Sequence, residues 1–101
     1  MKLEFYSVKK LKKEIIEIVS KYLDFSLWRV FFFGSRVKGN NSPRADIDIG
    51  IEGPQKIPAQ IKLEIEEDLE KLHTLYKIDF VDFKNVSGKF KKEALECIEY
   101  V

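Results

Sequence analysis

Phe33-Gly34-Ser35-Arg36-Val37-Lys38-Gly39-Asn40-Asn41-Ser42-Pro43-Arg44-Ala45-Asp46-Ile47-Asp48-Ile49-Gly50-Ile51 is the stretch that decides the fold: a Gly-Ser turn, ten intervening residues, then an Asp-x-Asp pair in an alternating apolar segment. Side chains at i and i+2 of a strand share a face. Asp46 and Asp48 therefore lie on one face, and Ile47, Ile49 and Ile51 on the other. Two carboxylates about 6 to 7 Å apart along a strand repel each other unless a cation neutralises them. A hard divalent cation with oxygen ligands does so, and Mg²⁺ accepts one or two carboxylates together with substrate phosphates.

The turn supplies what phosphates need. Gly34 tolerates positive φ and a close backbone approach, and Ser35 opens a short helical turn whose N–H groups suit an anion. No acidic residue occurs from Phe25 through Ala45, whereas Arg29, Arg36, Lys38 and Arg44 are basic, so the turn is locally cationic in a chain that is nearly neutral overall. Gly34, Ser35, Arg36, Lys38 and Arg44 are thus the candidate nucleotide- and phosphate-binding residues.

Gly34-Ser35, ten residues, then Asp46-x-Asp48 resembles the signature of the polymerase-β-type nucleotidyltransferase superfamily in its smallest form, the minimal nucleotidyltransferase (MNT) family, whose members pair with HEPN-domain proteins. The resemblance covers nearly the whole chain. It implies an α+β, two-layer, palm-like fold with a small mixed sheet flanked by helices. It also implies two Mg²⁺ ions, ATP as substrate, and transfer of AMP to a hydroxyl, a tyrosine of the HEPN partner, as the antitoxin of a type VII toxin–antitoxin system. The family needs a third carboxylate on a later strand, and Asp79 in Lys77-Ile78-Asp79-Phe80-Val81-Asp82-Phe83 takes that place. Asp46, Asp48 and Asp79 are accordingly the expected catalytic and metal-binding residues. Asp82, three positions on, has the opposite parity and is expected to face solvent or pack against a helix. Ala45 stands where many relatives carry Ser. The alternative is a catalytically weak nucleotide-binding subunit that neutralises a HEPN partner by contact alone.

At 101 residues the chain fits one domain, residues 1–101, of a size that folds alone with little surplus core. Hydrophobic residues make up 45% of it and charged ones 35%, yet the formal net charge is +1. That balance gives no sign of broad nucleic-acid binding, which calls for a strongly basic domain. A palm of this size leaves no room for an acceptor-binding domain, so the acceptor is expected to come from a second protein, in a hetero-oligomer or a homodimer, or from a small molecule docking at the open side. The single cysteine, Cys97, has no internal disulfide partner and reads as a small apolar residue of a terminal helix. No signal-peptide core is evident and no apolar run approaches the ~18 residues of a membrane span, so the expected location is cytoplasmic, away from membranes.

Val8, Leu11, Ile15, Val19 and Tyr22 recur at helical spacing, predicting a helix from about Ser7 to Leu23. Trp28 to Phe33 reads as a buried strand, Asn40 to Pro43 as a loop and Arg44 to Glu52 as the second strand. Pro58 suits the first turn of a helix carrying Ile61, Ile65, Leu69, Leu72 and Tyr76. His73, late on that helix, reads as a surface residue. Beyond the Asp79 strand, Ser87 is a candidate N-cap for a last helix with Phe90, Ala94, Cys97, Ile98 and Val101 as its apolar stripe.

Overall fold

The computed structural model describes residues 1–39 and 45–101. The predicted loop from Asn40 to Pro43, and Arg44 with it, lies outside the described residues. Among the described residues, four helices and four strands alternate: α1 Val8–Ser20, β1 Arg29–Phe33, α2 Ser35–Lys38, β2 Ile47–Glu52, α3 Ala59–Glu70, β3 Ile78–Asp82, α4 Gly88–Ala94 and β4 Glu99–Tyr100. The strands form one mixed sheet in the order β3-β2-β1-β4. β1 runs antiparallel to β2 and β4, whereas β2 and β3 are parallel, joined across α3. This is the small α+β architecture the sequence pattern predicts.

Strand parity divides the core in two. Val30 and Phe32 of β1, Ile47, Ile49 and Ile51 of β2, and Phe80 of β3 join Leu11, Ile15 and Val19 of α1 and Ile65 and Leu69 of α3. The opposite face holds Phe31, Phe33 and Phe83, against which Ala94, Leu95 and Ile98 pack. Phe31 and Phe83 meet edge to face with centroids 4.9 Å apart. They do so over Gly50, where any Cβ would press into both rings. Fully burying each such phenyl ring contributes about 1.5–3 kcal/mol, so the second core, though small, holds α4 to the sheet. Glu52 reinforces it, pairing with Arg29 (Nη2–Oε1 2.6 Å) and with Lys91 of α4.

The helices end earlier than their apolar stripes. Ser7 caps α1 by accepting from the Lys10 N–H at 3.1 Å, and after Ser20 the chain turns on bonds from Tyr22 and Leu23 N–H to Val19 O. Likewise α3 stops at Glu70, while Leu72 and Tyr76 still pack on the core from the turns that follow. His73 is exposed.

The last predicted helix is corrected more substantially. Ser87 does cap it, accepting from Phe90 N–H at 3.2 Å, but α4 ends at Ala94 and Glu99–Tyr100 form β4 beside Phe31 and Phe32. The physical reason is the outer edge of β1, whose backbone groups gain partners when the tail pairs with them, including Val101 N–H to Val30 O at 3.1 Å. Cys97 therefore lies between helix and strand, half-buried.

Candidate active site

The antiparallel register sets Phe33 opposite Asp48, so the residue after Phe33, Gly34, arrives directly at that carboxylate. The parallel register sets Asp48 opposite Asp79. Neighbouring strands lie about 4.8 Å apart, which brings these two carboxylates together on the Phe31–Phe33 face of the sheet. Asp46, two residues before Asp48, has the same parity and sits just ahead of β2.

Electrostatics reports the same convergence. Partial burial pushes the Asp48 carboxyl above the usual carboxylate range, and the charges of Asp79 and then Asp46 push it further in the same direction. The cluster thus carries excess negative charge. Lys77 lies nearest to Asp79, 4.0 Å between Nζ and Oδ1, with its side chain largely in solvent, where such a contact is worth little.

Gly34 adopts φ 83°, ψ −162° at the start of α2, and Gly39 ends that helix at φ 84°. A Cβ on Gly34 would overlap Oδ2 of Asp48, so the turn fits against the carboxylate only as glycine. Within the turn, the Val37 and Lys38 N–H groups both donate to Gly34 O at 3.2 Å. Ser35 is the exposed first residue of α2.

A cleft of about 640 Å³ opens here, lined by Gly34, Lys38, Asp48, Lys77, Asp79 and Phe90 among others. Lys38 thus borders the cleft, whereas Arg36 is not among its lining residues and turns inward. Its side chain is 3% exposed, donates from Nε to Ala45 O at 2.7 Å and lies over the Tyr76 ring, 4.5 Å from the centroid. Arg44 lies outside the described residues. Asp82 points to the other face, where its carboxylate is buried and accepts from Ile57 N–H at 2.9 Å and Lys84 N–H at 3.0 Å.

Several contributors to the cleft, Lys77, Phe90 and the acidic Glu66, Glu70 and Glu93 among them, escape sequence reasoning. Lys77 reads only as a strand flank. Phe90 fits an apolar stripe facing the core, yet it stays 41% exposed at the cleft while its ring rests on Phe33 and Phe83.

Among the described residues, no three His, Cys, Asp or Glu side chains are already gathered closely enough to hold a metal ion. The donor chemistry nevertheless fits a hard cation. Asp48 is destabilised as an anion by burial first and then by the charges of Asp79 and Asp46, all three groups offer oxygen, and a divalent ion between them would remove the repulsion. Among the described residues, no helix is long and apolar enough to cross a membrane.

The fold has solved counterparts. A toxin–antitoxin complex with AMP-PNP aligns at TM-score 0.70 with 19% identity, covering 88% of this chain and 70% of that one. A mutant MntA–HpeT toxin–antitoxin aligns at 0.69 with 16% identity over 88% and 70%. The tri-AMPylated Shewanella oneidensis HEPN toxin in complex with its MNT antitoxin aligns at 0.67 with 17% identity over 91% and 69%. At these identities the likeness is one of fold. No curated protein matches the chain significantly. The family described as "Polymerase beta, Nucleotidyltransferase" matches residues 13–100. With that match spanning the sheet, the Gly34 turn and all three carboxylates, the chain belongs to the polymerase-β nucleotidyltransferase family.

Proposed function

We propose that this protein transfers AMP from ATP to a hydroxyl of a HEPN-type partner protein, a tyrosine side chain being the acceptor, and thereby acts as an antitoxin. The observation that carries this reading is the register of Asp48 against both Phe33 and Asp79, which puts Gly34 and two carboxylates at one point of one cleft. The three fold counterparts support it further, since they are toxin–antitoxin structures, one with a nucleotide analogue and one with an AMPylated HEPN toxin.

In this reading Asp46, Asp48 and Asp79 would hold Mg²⁺, two ions in all, which would neutralise triphosphate charge and lower the pKa of the attacking hydroxyl. The chain's own residues do the rest. The Gly34-Ser35 turn seats the terminal phosphates against Asp48, and Lys38 and Lys77 offset charge that builds on the leaving group. The acceptor oxygen attacks the α-phosphorus in line, the bond from that phosphorus to the bridging oxygen breaks, and pyrophosphate leaves. Asp79 takes the hydroxyl proton. The open side of the cleft beyond Phe90 admits the acceptor.

Intact-mass measurement of the protein mixed with its HEPN-type partner, ATP and Mg²⁺ tests the proposal. Increments of one AMP on the partner, absent with Asp46→Asn, are the expected result. A stable complex without any mass increment would instead assign neutralisation to contact alone.

A further inference from the structure

We propose that Arg36 is a positioning residue that fixes the backbone of Asp46, tying the Gly34-Ser35 turn to the first carboxylate. Its bearing on catalysis rests on the transfer reading above, whereas the clamp itself is a matter of geometry.

Asp46 precedes β2 and takes no part in its ladder. Two peptide planes flank its Cα, and each plane is rigid. The plane after it is held by Ile47 N–H, which donates to Lys77 O at 2.9 Å. The plane before it is held by Ala45 O, which accepts from Arg36 Nε at 2.7 Å. With both planes anchored, φ and ψ of Asp46 are determined, and so is the direction of its Cα–Cβ bond, from which the carboxylate projects. Remove the Arg36 bond and only one anchor of the pair is left.

Arg36 is itself held. It is 3% exposed, on α2 directly after the turn, with its guanidinium carbon 4.5 Å from the Tyr76 ring centroid. The Tyr76 hydroxyl in turn accepts from Glu4 N–H at 3.0 Å and Phe5 N–H at 3.1 Å. A planar guanidinium can stack by its face and donate from its edge at the same time, which a lysine ammonium cannot reproduce. The acceptor is a backbone carbonyl, so the clamp is indifferent to alanine at position 45.

The test uses Arg36→Lys and Arg36→Gln in the full chain, by amide hydrogen exchange without nucleotide and by steady-state transfer to the partner. The clamp predicts exchange at Asp46 and Ile47 faster by about tenfold or more, with little change in β1. It also predicts kcat lower by about 10- to 100-fold with the ATP KM within about threefold, and no rescue by lysine. Exchange unchanged at Asp46 and Ile47, or faster only in step with a global loss of stability, overturns it. So does a raised KM at constant kcat, the mark of a direct phosphate contact. If the unsubstituted protein transfers nothing, the transfer reading fails and the exchange data alone decide the clamp.

Discussion

Gly34 has no room for a side chain because Asp48 occupies it: a Cβ there would overlap Oδ2 of that carboxylate. The backbone reinforces the restriction, since φ 83° with ψ −162° is a region that only glycine visits freely. Gly34→Ala is therefore expected to cost about 1–3 kcal/mol from backbone strain, and to displace Asp48 as well. Thermal melting reads the first effect. Transfer activity reads the second, and should fall more than the stability loss alone explains.

Asp48→Asn should stabilise the fold. Burial and the neighbouring carboxylates raise the Asp48 pKa, so just above the ordinary carboxylate range the folded state keeps a proton that the unfolded chain has lost. Stability then falls as pH rises through that window and stays lower beyond it. Solvent screening of a partly buried group keeps the effect small, so the variant's Tm at pH 7 should be modestly higher than the parent's. The difference should vanish below the ordinary carboxylate range, and shrink when Mg²⁺ is added to the parent protein.

Glu52 has the opposite sign. Lys91 foremost, and Arg29 with it, hold its carboxyl below the usual range despite burial. The stabilisation is present above the ordinary carboxylate pKa and is lost as pH falls through the depressed value. Glu52→Gln should lower Tm at pH 7, by about 4–8 °C for each kcal/mol lost, with the gap closing in strong acid. Melting curves across pH check this directly.

Asp82→Ala separates structure from chemistry. It would strand the Ile57 and Lys84 N–H groups that the carboxylate accepts, at a cost of about 1.5–3 kcal/mol for each charged hydrogen bond lost. Denaturant unfolding should show the loss. Transfer per folded molecule should change little, because this carboxylate faces away from the cleft.

Lys38 is exposed and lines the cleft. Lys38→Gln should raise the ATP KM about tenfold, the worth of one charge-assisted contact, and leave Tm nearly unchanged as surface substitutions do.

Period-two alternation was enough to set Asp48 on the face opposite Ile47, Ile49 and Ile51 and to separate Asp79 from Asp82, because parity is a local property of a strand. Register is not local. That Asp48 stands opposite Asp79 depends on parallel pairing across the whole of α3, which no window of sequence contains. The tail misleads for a related reason: Ala94, Cys97, Ile98 and Val101 recur at helical spacing, yet pairing with β1 outweighs that preference at Glu99–Tyr100. Arg36 shows a third limit. Composition marks a cationic turn, but only the fold reveals that one of its charges turns inward to Ala45 and Tyr76.

The parallel partnership of β2 and β3 also sets an order of assembly. The β1–β2 pair is close in sequence and can form early, carrying Asp46 and Asp48, whereas β3 joins only after a long loop has closed, which is the slower event in folding. Among the described residues, β3 is moreover an edge strand with β2 as its one neighbour in the sheet. Under mild heat or denaturant, separation of β3 would remove Asp79 while leaving the β1–β2 pair together, so loss of the third carboxylate can precede collapse of the fold, and inactivation would run ahead of unfolding.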